Sequence, residues 1–269
     1  MPRAAGNSSH YEFVLRRASG SYDKDVVISL PSVTHVIKSV LSKPLDNWIY
    51  GTTVDNISGM ISVFMDDHSV GHLDNEYHLF ETLTDGDMLR EYLKENRLRP
   101  EDVANDASTR GTREHEMLEH LAKAYLESDE TAAEQIARRT LARDSSSPWA
   151  KATAAWWLER YPTVVASEEV LHSLKLGVAG TVDLIVSAGG YHEVIDLKTR
   201  GAGKVAYRSD FVQLDGYSDM WEEMTDKLVL DCTVLVVRDD GTYDEYREPR
   251  AAGSFEKVKD VYDTLKGVR

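Results

Sequence analysis

Cysteine occurs once in 269 residues, at Cys232. One thiol cannot close an intramolecular disulfide, and one chain then cannot supply a four-cysteine zinc or iron–sulfur site. No run of about 18 apolar residues occurs, so no membrane-spanning helix is expected. The first ten residues hold no apolar signal core, and the cytoplasm is the expected compartment for lack of an address. There is no Gly-x-x-x-x-Gly-Lys-Ser/Thr loop, so no ATP-driven motor is encoded, and no Gly-x-Ser-x-Gly elbow, which removes the usual serine hydrolase. Positive charge is scarce: 31 Lys+Arg stand against 46 Asp+Glu, a net charge of -15. Such a field repels nucleic acid and anionic membranes, and it argues against general coating of DNA and against a membrane partner.

What is present suffices for a core. Hydrophobic residues make up 42% of the chain, enough at this length to exclude disorder as the main state. A flexible N-terminus is expected over 1–10, then one domain over 11–269, with a hairpin and helical part over 11–148 and an α/β part over 149–269. Two β-prone runs, 11–17 and 26–30, flank Ser19-Gly20-Ser21-Tyr22-Asp23 and read as a hairpin. Apolar positions 33, 36, 37, 40 and 41 have helical spacing, with Ser32 as N-cap and Pro44 as stop. The stretch 47–140 has a mainly helical pattern, clearest over 49–65, 85–97 and 111–127. The cluster Asp144-Ser145-Ser146-Ser147-Pro148 is a loop and helix start leading into residues 149–161. The amphipathic setting of Trp156-Trp157 there fits packing rather than base stacking. Beyond Pro162 come β-type runs over 163–171, 178–187 and 191–197, a helix over 207–225, strands over 229–237 and 242–247, and a helix over 254–267.

The segment Gly177–Arg200 is the most informative. Two apolar runs flank Ala188-Gly189-Gly190, and a Gly-Gly loop suits a tight hairpin because glycine accepts positive φ. With Ala188 opposite Tyr191, counting outward sets Asp183 opposite Asp196, where Cβ atoms lie about 4.5–5.5 Å apart. Two carboxylates so placed among Val, Leu and Ile repel each other. A divalent cation reverses that sign, and oxygen ligation points to Mg²⁺ or Mn²⁺ rather than zinc. Lys198 shares a face with Asp196, while Leu197 points into the opposite layer. Two carboxylates for a metal with a lysine beside them can orient and deprotonate a water and stabilise phosphorane charge. A solvated surface hairpin is the competing reading, but Val194-Ile195-Asp196-Leu197 is too apolar for it.

Gly180-Thr181-Val182-Asp183 followed by Val194-Ile195-Asp196-Leu197-Lys198-Thr199 resembles the core signature of the PD-(D/E)xK nuclease superfamily. Gln213-Leu214-Asp215-Gly216-Tyr217 is similar to the Gln-x-x-x-Tyr element of its RecB-like exonuclease branch. Gly111-Thr112-Arg113-Glu114-His115-Glu116-Met117-Leu118-Glu119 resembles that branch's Gly-Thr-x-x-His-x-x-x-Glu helix. Glu168, at the start of the first β run, matches a position where the branch often carries an acid. Leu30-Pro31-Ser32-Val33-Thr34 and Lys43-Pro44-Leu45-x-x-Trp48 are similar to the lead-in of phage and mitochondrial genome-maintenance exonucleases. Many relatives carry a cysteine-ligated iron–sulfur cluster. One cysteine cannot supply it, which sets this chain in the cluster-free group.

The resemblance implies a restriction-endonuclease-like α/β fold, a small mixed central sheet flanked by helices with a mainly helical N-terminal portion. It implies a Mg²⁺- or Mn²⁺-dependent DNA exonuclease, in which Asp183, Asp196, His115 and the Leu197 carbonyl hold metal and Lys198 aligns the attacking water. Glu168, Gln213 and Tyr217 complete the catalytic set, the last two also near the scissile phosphate, and Glu119 orients the histidine. Arg200, Lys204 and Arg208 in the locally basic stretch 198–214 are the expected DNA contacts. Gly216 within a helix costs stability, and a close approach by DNA or another backbone would account for it. The substrate implied is linear DNA, single- or double-stranded, in phage-type recombination, repair or replication, with a single-strand-binding or recombinase protein as partner. Two readings compete: a structure-specific or other endonuclease of the same superfamily, and a non-catalytic DNA-binding protein on this fold. His115-Glu116 with His120 is not a zinc-protease helix, since that motif needs histidines four apart, and the spacing of His68, His72 and His78 is too loose for a zinc site.

Overall fold

The computed structural model describes residues 9–15, 26–41, 56–58 and 86–267. Residues 1–8 of the terminus, the three histidines His68, His72 and His78, and the Lys43–Trp48 lead-in lie outside them. Of the helix expected over 49–65 the described residues include 56–58, which are helical. No helix among the described residues is long and apolar enough to cross a membrane.

In order along the chain the elements are β1 (His10–Leu15), β2 (Val26–Pro31), α1 (Val33–Leu41), α2 (Gly86–Glu95) and α3 (Pro100–Glu127). Then come α4 (Glu130–Ala142), α5 (Pro148–Arg160), β3 (Val164–Ser173), β4 (Val178–Ala188) and β5 (Tyr191–Arg200). The chain closes with α6 (Arg208–Thr225), β6 (Val229–Arg238), β7 (Tyr243–Pro249) and α7 (Ser254–Lys266). The chain divides into two compact units, one over Lys43–Arg110 and one that joins Met1–Ser42 to Gly111–Arg269. In the Lys43–Arg110 unit, α2 buries none of its residues and carries the exposed pairs Asp87–Arg90 and Glu91–Lys94.

The larger unit holds a β1–β2 antiparallel pair and a five-stranded mixed sheet in the order β3-β4-β5-β6-β7. Neighbours are antiparallel except β5 and β6, which run parallel and are joined through α6, as a parallel pair requires a crossover. Helix boundaries follow side-chain chemistry. Ser32 Oγ accepts from His35 N at 3.0 Å at the start of α1. Asp129 caps α4 through Ala132 N at 2.9 Å, which divides the long helical stretch at Ser128–Asp129. Ser147 caps α5 with Pro148 in its first turn, and left-handed Tyr161 closes that helix just before Pro162. Each face of the sheet carries a core. One packs α1, α6 and α7 on Val182, Ile185, Val194, Val234 and Val236. The other packs α3, α4 and α5, with Trp156 and Trp157 buried in it, on Leu184, Ile195, Leu197 and Leu235.

The β4–β5 ladder pairs Ala188 with Tyr191 and runs down to Leu184 with Ile195, the counted register. Gly189 and Gly190 both have positive φ, 67° and 105°, as the turn requires. The ladder stops one step short of Asp183 and Asp196. There Leu197 N–H donates to Asp183 Oδ2 at 2.8 Å.

Candidate active site

The site lies where β3, β4, β5, α3 and α6 meet. Period-2 alternation sends Asp196 and Lys198 to the α6 face while Leu197 enters the opposite core. Asp183 is buried. Its Oδ1 meets His115 Nδ1 at 3.2 Å. Burial works against its charge, but the charge and hydrogen bond of His115, with Lys198 behind them, outweigh that and hold its carboxyl below the usual range. The same attraction from Asp183 pushes His115 up to about 9 against the cost of its burial.

Asp196 is pushed up to about 6, first by burial and then by the neighbouring Asp183, despite Lys198 Nζ lying 2.6 Å from its Oδ2. Burial works against the ammonium of Lys198, and Asp196 and Asp183 more than offset it, so its pKa is raised. Gln213 bridges the pair: its Oε1 accepts from Lys198 Nζ at 3.3 Å and its Nε2 donates to Asp196 Oδ1 at 3.3 Å. The same Nε2 donates to Tyr217 Oη at 2.8 Å, the i,i+4 spacing on α6 setting the two on one face. Tyr217 is held neutral by burial and by Asp196.

Glu168 sits inside β3 rather than at its start, and there it adopts a left-handed φ of 49°. Such a conformation is rare for a residue with a side chain. The β3–β4 ladder keeps its register from Ser167–Leu184 to Glu169–Val182 but leaves Glu168 unpaired with Asp183, and its one register shift lies earlier, between Val164 and Ala166. Burial, then the charge of Asp183, pushes Glu168 up to about 7. Ligand atoms of His115, Glu168 and Asp183 all lie within 4.8 Å of one another, a grouping that can hold a metal ion. Asp196 is outside that group and is engaged by Lys198 instead. Glu119 is half-buried and contributes to the field at Glu168.

The expected DNA contacts separate. Arg200 pairs with Asp210 at 3.0 Å and lies over the Tyr207 ring at 4.6 Å. Arg208 reaches Glu248 at 2.6 Å on the surface. Lys204 is exposed, and its carbonyl accepts from Arg238 Nη2 at 2.9 Å. Gly216 is explained by neither DNA nor a backbone: a Cβ there would stand 2.8 Å from the Phe255 ring of α7. Gly180 plays the same part for the site itself, since a Cβ there would stand 2.6 Å from the Tyr217 ring. Two residues escaped the sequence reading. Thr34 on α1 hydrogen-bonds Tyr217; its signal was its place in the Leu30–Thr34 lead-in. Arg238 is the cross-strand neighbour of Arg200, which needs the β5–β6 pairing to be seen.

The family model of the PD-(D/E)XK nuclease superfamily matches residues 89–266. No curated protein matches the chain. Among solved structures the chain is similar to an alkaline exonuclease from Laribacter hongkongensis, at 14% identity and a TM-score of 0.32, covering 44% of this chain and 62% of that one. It is also similar to a protein from Eubacterium rectale described as a candidate exonuclease, at 10% identity and a TM-score of 0.33, covering 55% of this chain and 64% of that one. The chain thus spans less than two thirds of either. The family match takes in α3 from end to end and every strand and helix after it, including all the site residues just described except Thr34. On that match, the chain belongs to the PD-(D/E)XK nuclease superfamily.

Proposed function

We propose that this protein is a divalent-metal-dependent DNA exonuclease of the RecB-like branch, hydrolysing phosphodiester bonds of linear DNA in phage-type recombination, repair or replication. The observation that carries the reading is the convergence of two buried carboxylates, Asp183 and Asp196, with Lys198, His115 and Glu168 around one point. That cluster fits a hard cation. Its carboxylates crowd each other, burial raises the pKa of two of them, Glu168 and Asp196, and Asp196 Oδ2 has no well-formed hydrogen bond. His115, Glu168 and Asp183 would hold Mg²⁺ or Mn²⁺, with Asp196 and the Leu197 carbonyl as the further ligands expected from the sequence. Such an ion, when bound, supplies positive charge that offsets the charge developing on phosphorus and makes a water easier to deprotonate.

The chain's own groups do the positioning. Lys198 stays an ammonium and donates toward the attacking water or a phosphate oxygen. Gln213 fixes Lys198 and Asp196 relative to each other through its two ends. Tyr217 remains a neutral phenol that orients Gln213, and Gly180 leaves room for its ring. Leu197 N–H holds Asp183 Oδ2, so the Asp183 carboxylate does not turn away. In the reaction the water oxygen forms a bond to phosphorus and the P–O ester bond breaks. The departing oxygen takes a proton from solvent water, and the proton lost from the attacking water passes to solvent, so the two transfers balance.

The test is a time course on end-labelled linear DNA and covalently closed circular DNA, with Mg²⁺, Mn²⁺ or chelator. Loss of the linear substrate alone, abolished by chelator, is the expected result. Degradation of the closed circle would mean an endonuclease, and chelator-resistant binding without cleavage would mean a non-catalytic DNA-binding protein.

A further inference from the structure

Five buried side-chain polar atoms lack a well-formed hydrogen bond among the described residues; of these, Asp196 Oδ2 has Lys198 Nζ beside it at 2.6 Å, and Arg200 Nε and Arg238 Nε lie on β5 and β6. Arg200 and Arg238 are cross-strand partners at the carboxyl ends of this parallel pair, the end at which open α/β sheets bind ligands. Alternation puts both on the face of Asp196 and Lys198, the face on which Val194, Cys232, Val234 and Val236 enter the α6-side core. Arg238 is 6% exposed. Its Nη2 is held by Asp244 at 2.5 Å and by the Lys204 carbonyl at 2.9 Å. Arg200 is held by Asp210 and by the Tyr207 ring. Both guanidinium groups are therefore oriented in advance, each with a buried N–H unused. An unmet buried donor is costly, and guanidinium groups match the oxygens of a phosphate. Arg200 lies two residues beyond Lys198, about 6.6 Å along the strand, of the order of the step between successive phosphates on an extended nucleic-acid strand.

We propose that Arg200 and Arg238 together form a second phosphate subsite, which grips the DNA backbone phosphate next to the one being cleaved. The inference rests on the nuclease reading and assigns to Arg238 a binding role beside that of Arg200. It sets the register of the strand, so that the scissile phosphate arrives at Lys198.

The test uses single-turnover cleavage of DNA strands in which one neutral methylphosphonate linkage is moved stepwise along the backbone. In the wild type, neutralising the linkage adjacent to the scissile one is expected to weaken half-saturation about tenfold to a hundredfold, with little effect further away. In Arg238→Gln, unmodified DNA should bind more weakly by a similar factor, and the neutral linkage should add nothing further. Equal, additive penalties in wild type and variant would show that Arg238 merely braces the 201–207 loop, and would overturn the proposal. Should Arg238→Gln fail to fold by circular dichroism, the wild-type scan decides alone: no sensitive linkage beside the scissile one overturns the subsite. Cleavage of unmodified DNA separates the two layers of the argument. A wild type that cleaves without a sensitive neighbour defeats the subsite alone, whereas one that cleaves no DNA defeats the nuclease reading and the subsite with it.

Discussion

Glu193 and Asp196 lie three residues apart on the same strand, both with 1% exposure or less, and face opposite layers of the sheet. Glu193 is closed. It accepts from Thr233 Oγ1 at 2.6 Å and pairs with Arg160 at 2.7 Å and Arg247 at 3.2 Å. Asp196 is open. Lys198 is the cation in contact with it among the described residues, with the charge of His115 further off; the bond from Gln213 is long, and a second acid stands beside it. Burial is the same in both, so burial does not distinguish a structural acid from a reactive one. What distinguishes them is whether the protein itself neutralises and hydrogen-bonds the charge, or leaves that to a ligand.

Breaking the open acid should cost activity and leave the fold. Asp196→Asn and Lys198→Ala are each expected to slow cleavage about 10³-fold or more; Asp196→Asn, which relieves the crowded carboxylates, should melt at or above the wild-type temperature, whereas Lys198→Ala, which strips Asp196 of its cation, should melt lower, and rates on labelled DNA beside calorimetry check both halves. Breaking the closed acid should do the reverse. Glu193→Gln takes the buried carboxylate from Arg160 and Arg247, leaving them Glu245 and Asp231, and is expected to destabilise by about 3 kcal/mol, with the turnover of the folded fraction near wild type, as urea titration beside active-site titration would reveal.

A cation should act on the open cluster alone. Mn²⁺ at about 100 times its dissociation constant is expected to stabilise the wild type by about 2.7 kcal/mol, to stabilise Glu193→Gln equally, and to leave Asp183→Asn nearly unmoved. The pH dependence has a definite sign. His115, raised to about 9 in the metal-free site, must lose its proton to become a ligand. Affinity should therefore climb about tenfold per pH unit between 7 and 9 and flatten above. Below about 7 the proton on Glu168 steepens the dependence. Calorimetric titrations at several pH values measure it, and a pH-independent affinity would remove His115 from the ligand set. The smallest effect lies away from both acids: Gly216→Ala drives a methyl into the Phe255 ring and should cost about 1–3 kcal/mol of stability, with the cleavage rate of folded protein unchanged.

Much of the site was legible where the chemistry is local. The Gly189-Gly190 turn set the hairpin register, and period-2 alternation then fixed the common face of Asp196 and Lys198. The i,i+4 spacing did the same for Gln213 and Tyr217. Residues far apart in the chain needed the family resemblance. His115 lies 68 residues before Asp183, the residue it meets, and no periodicity links them. Other features were not legible by either route. The left-handed Glu168, the Phe255 ring against Gly216 and the Arg200–Arg238 pairing depend on which surfaces dock. A parallel strand pair made through a helix leaves no short-range signal of its register.

β5 is the middle strand of five, and it carries both acids. From Tyr191 to Ile195 it is laddered to β4, and through Arg200 to β6, so backbone hydrogen exchange up to Ile195 should require opening of the whole sheet rather than fraying of an edge. Asp196 and Lys198 follow that stretch directly, still laddered to β6, with Leu197 N–H between them held by Asp183. On the proposed nuclease reading, adjustment to an arriving DNA strand would fall instead to the connection after it, residues 201–207, where a Cβ on Gly201 or Gly203 would meet nothing within 4 Å and Gly203 already takes a positive φ of 72°. The division of labour is between a rigid strand that fixes the chemistry in space and a pliable connection that brings the polymer to it.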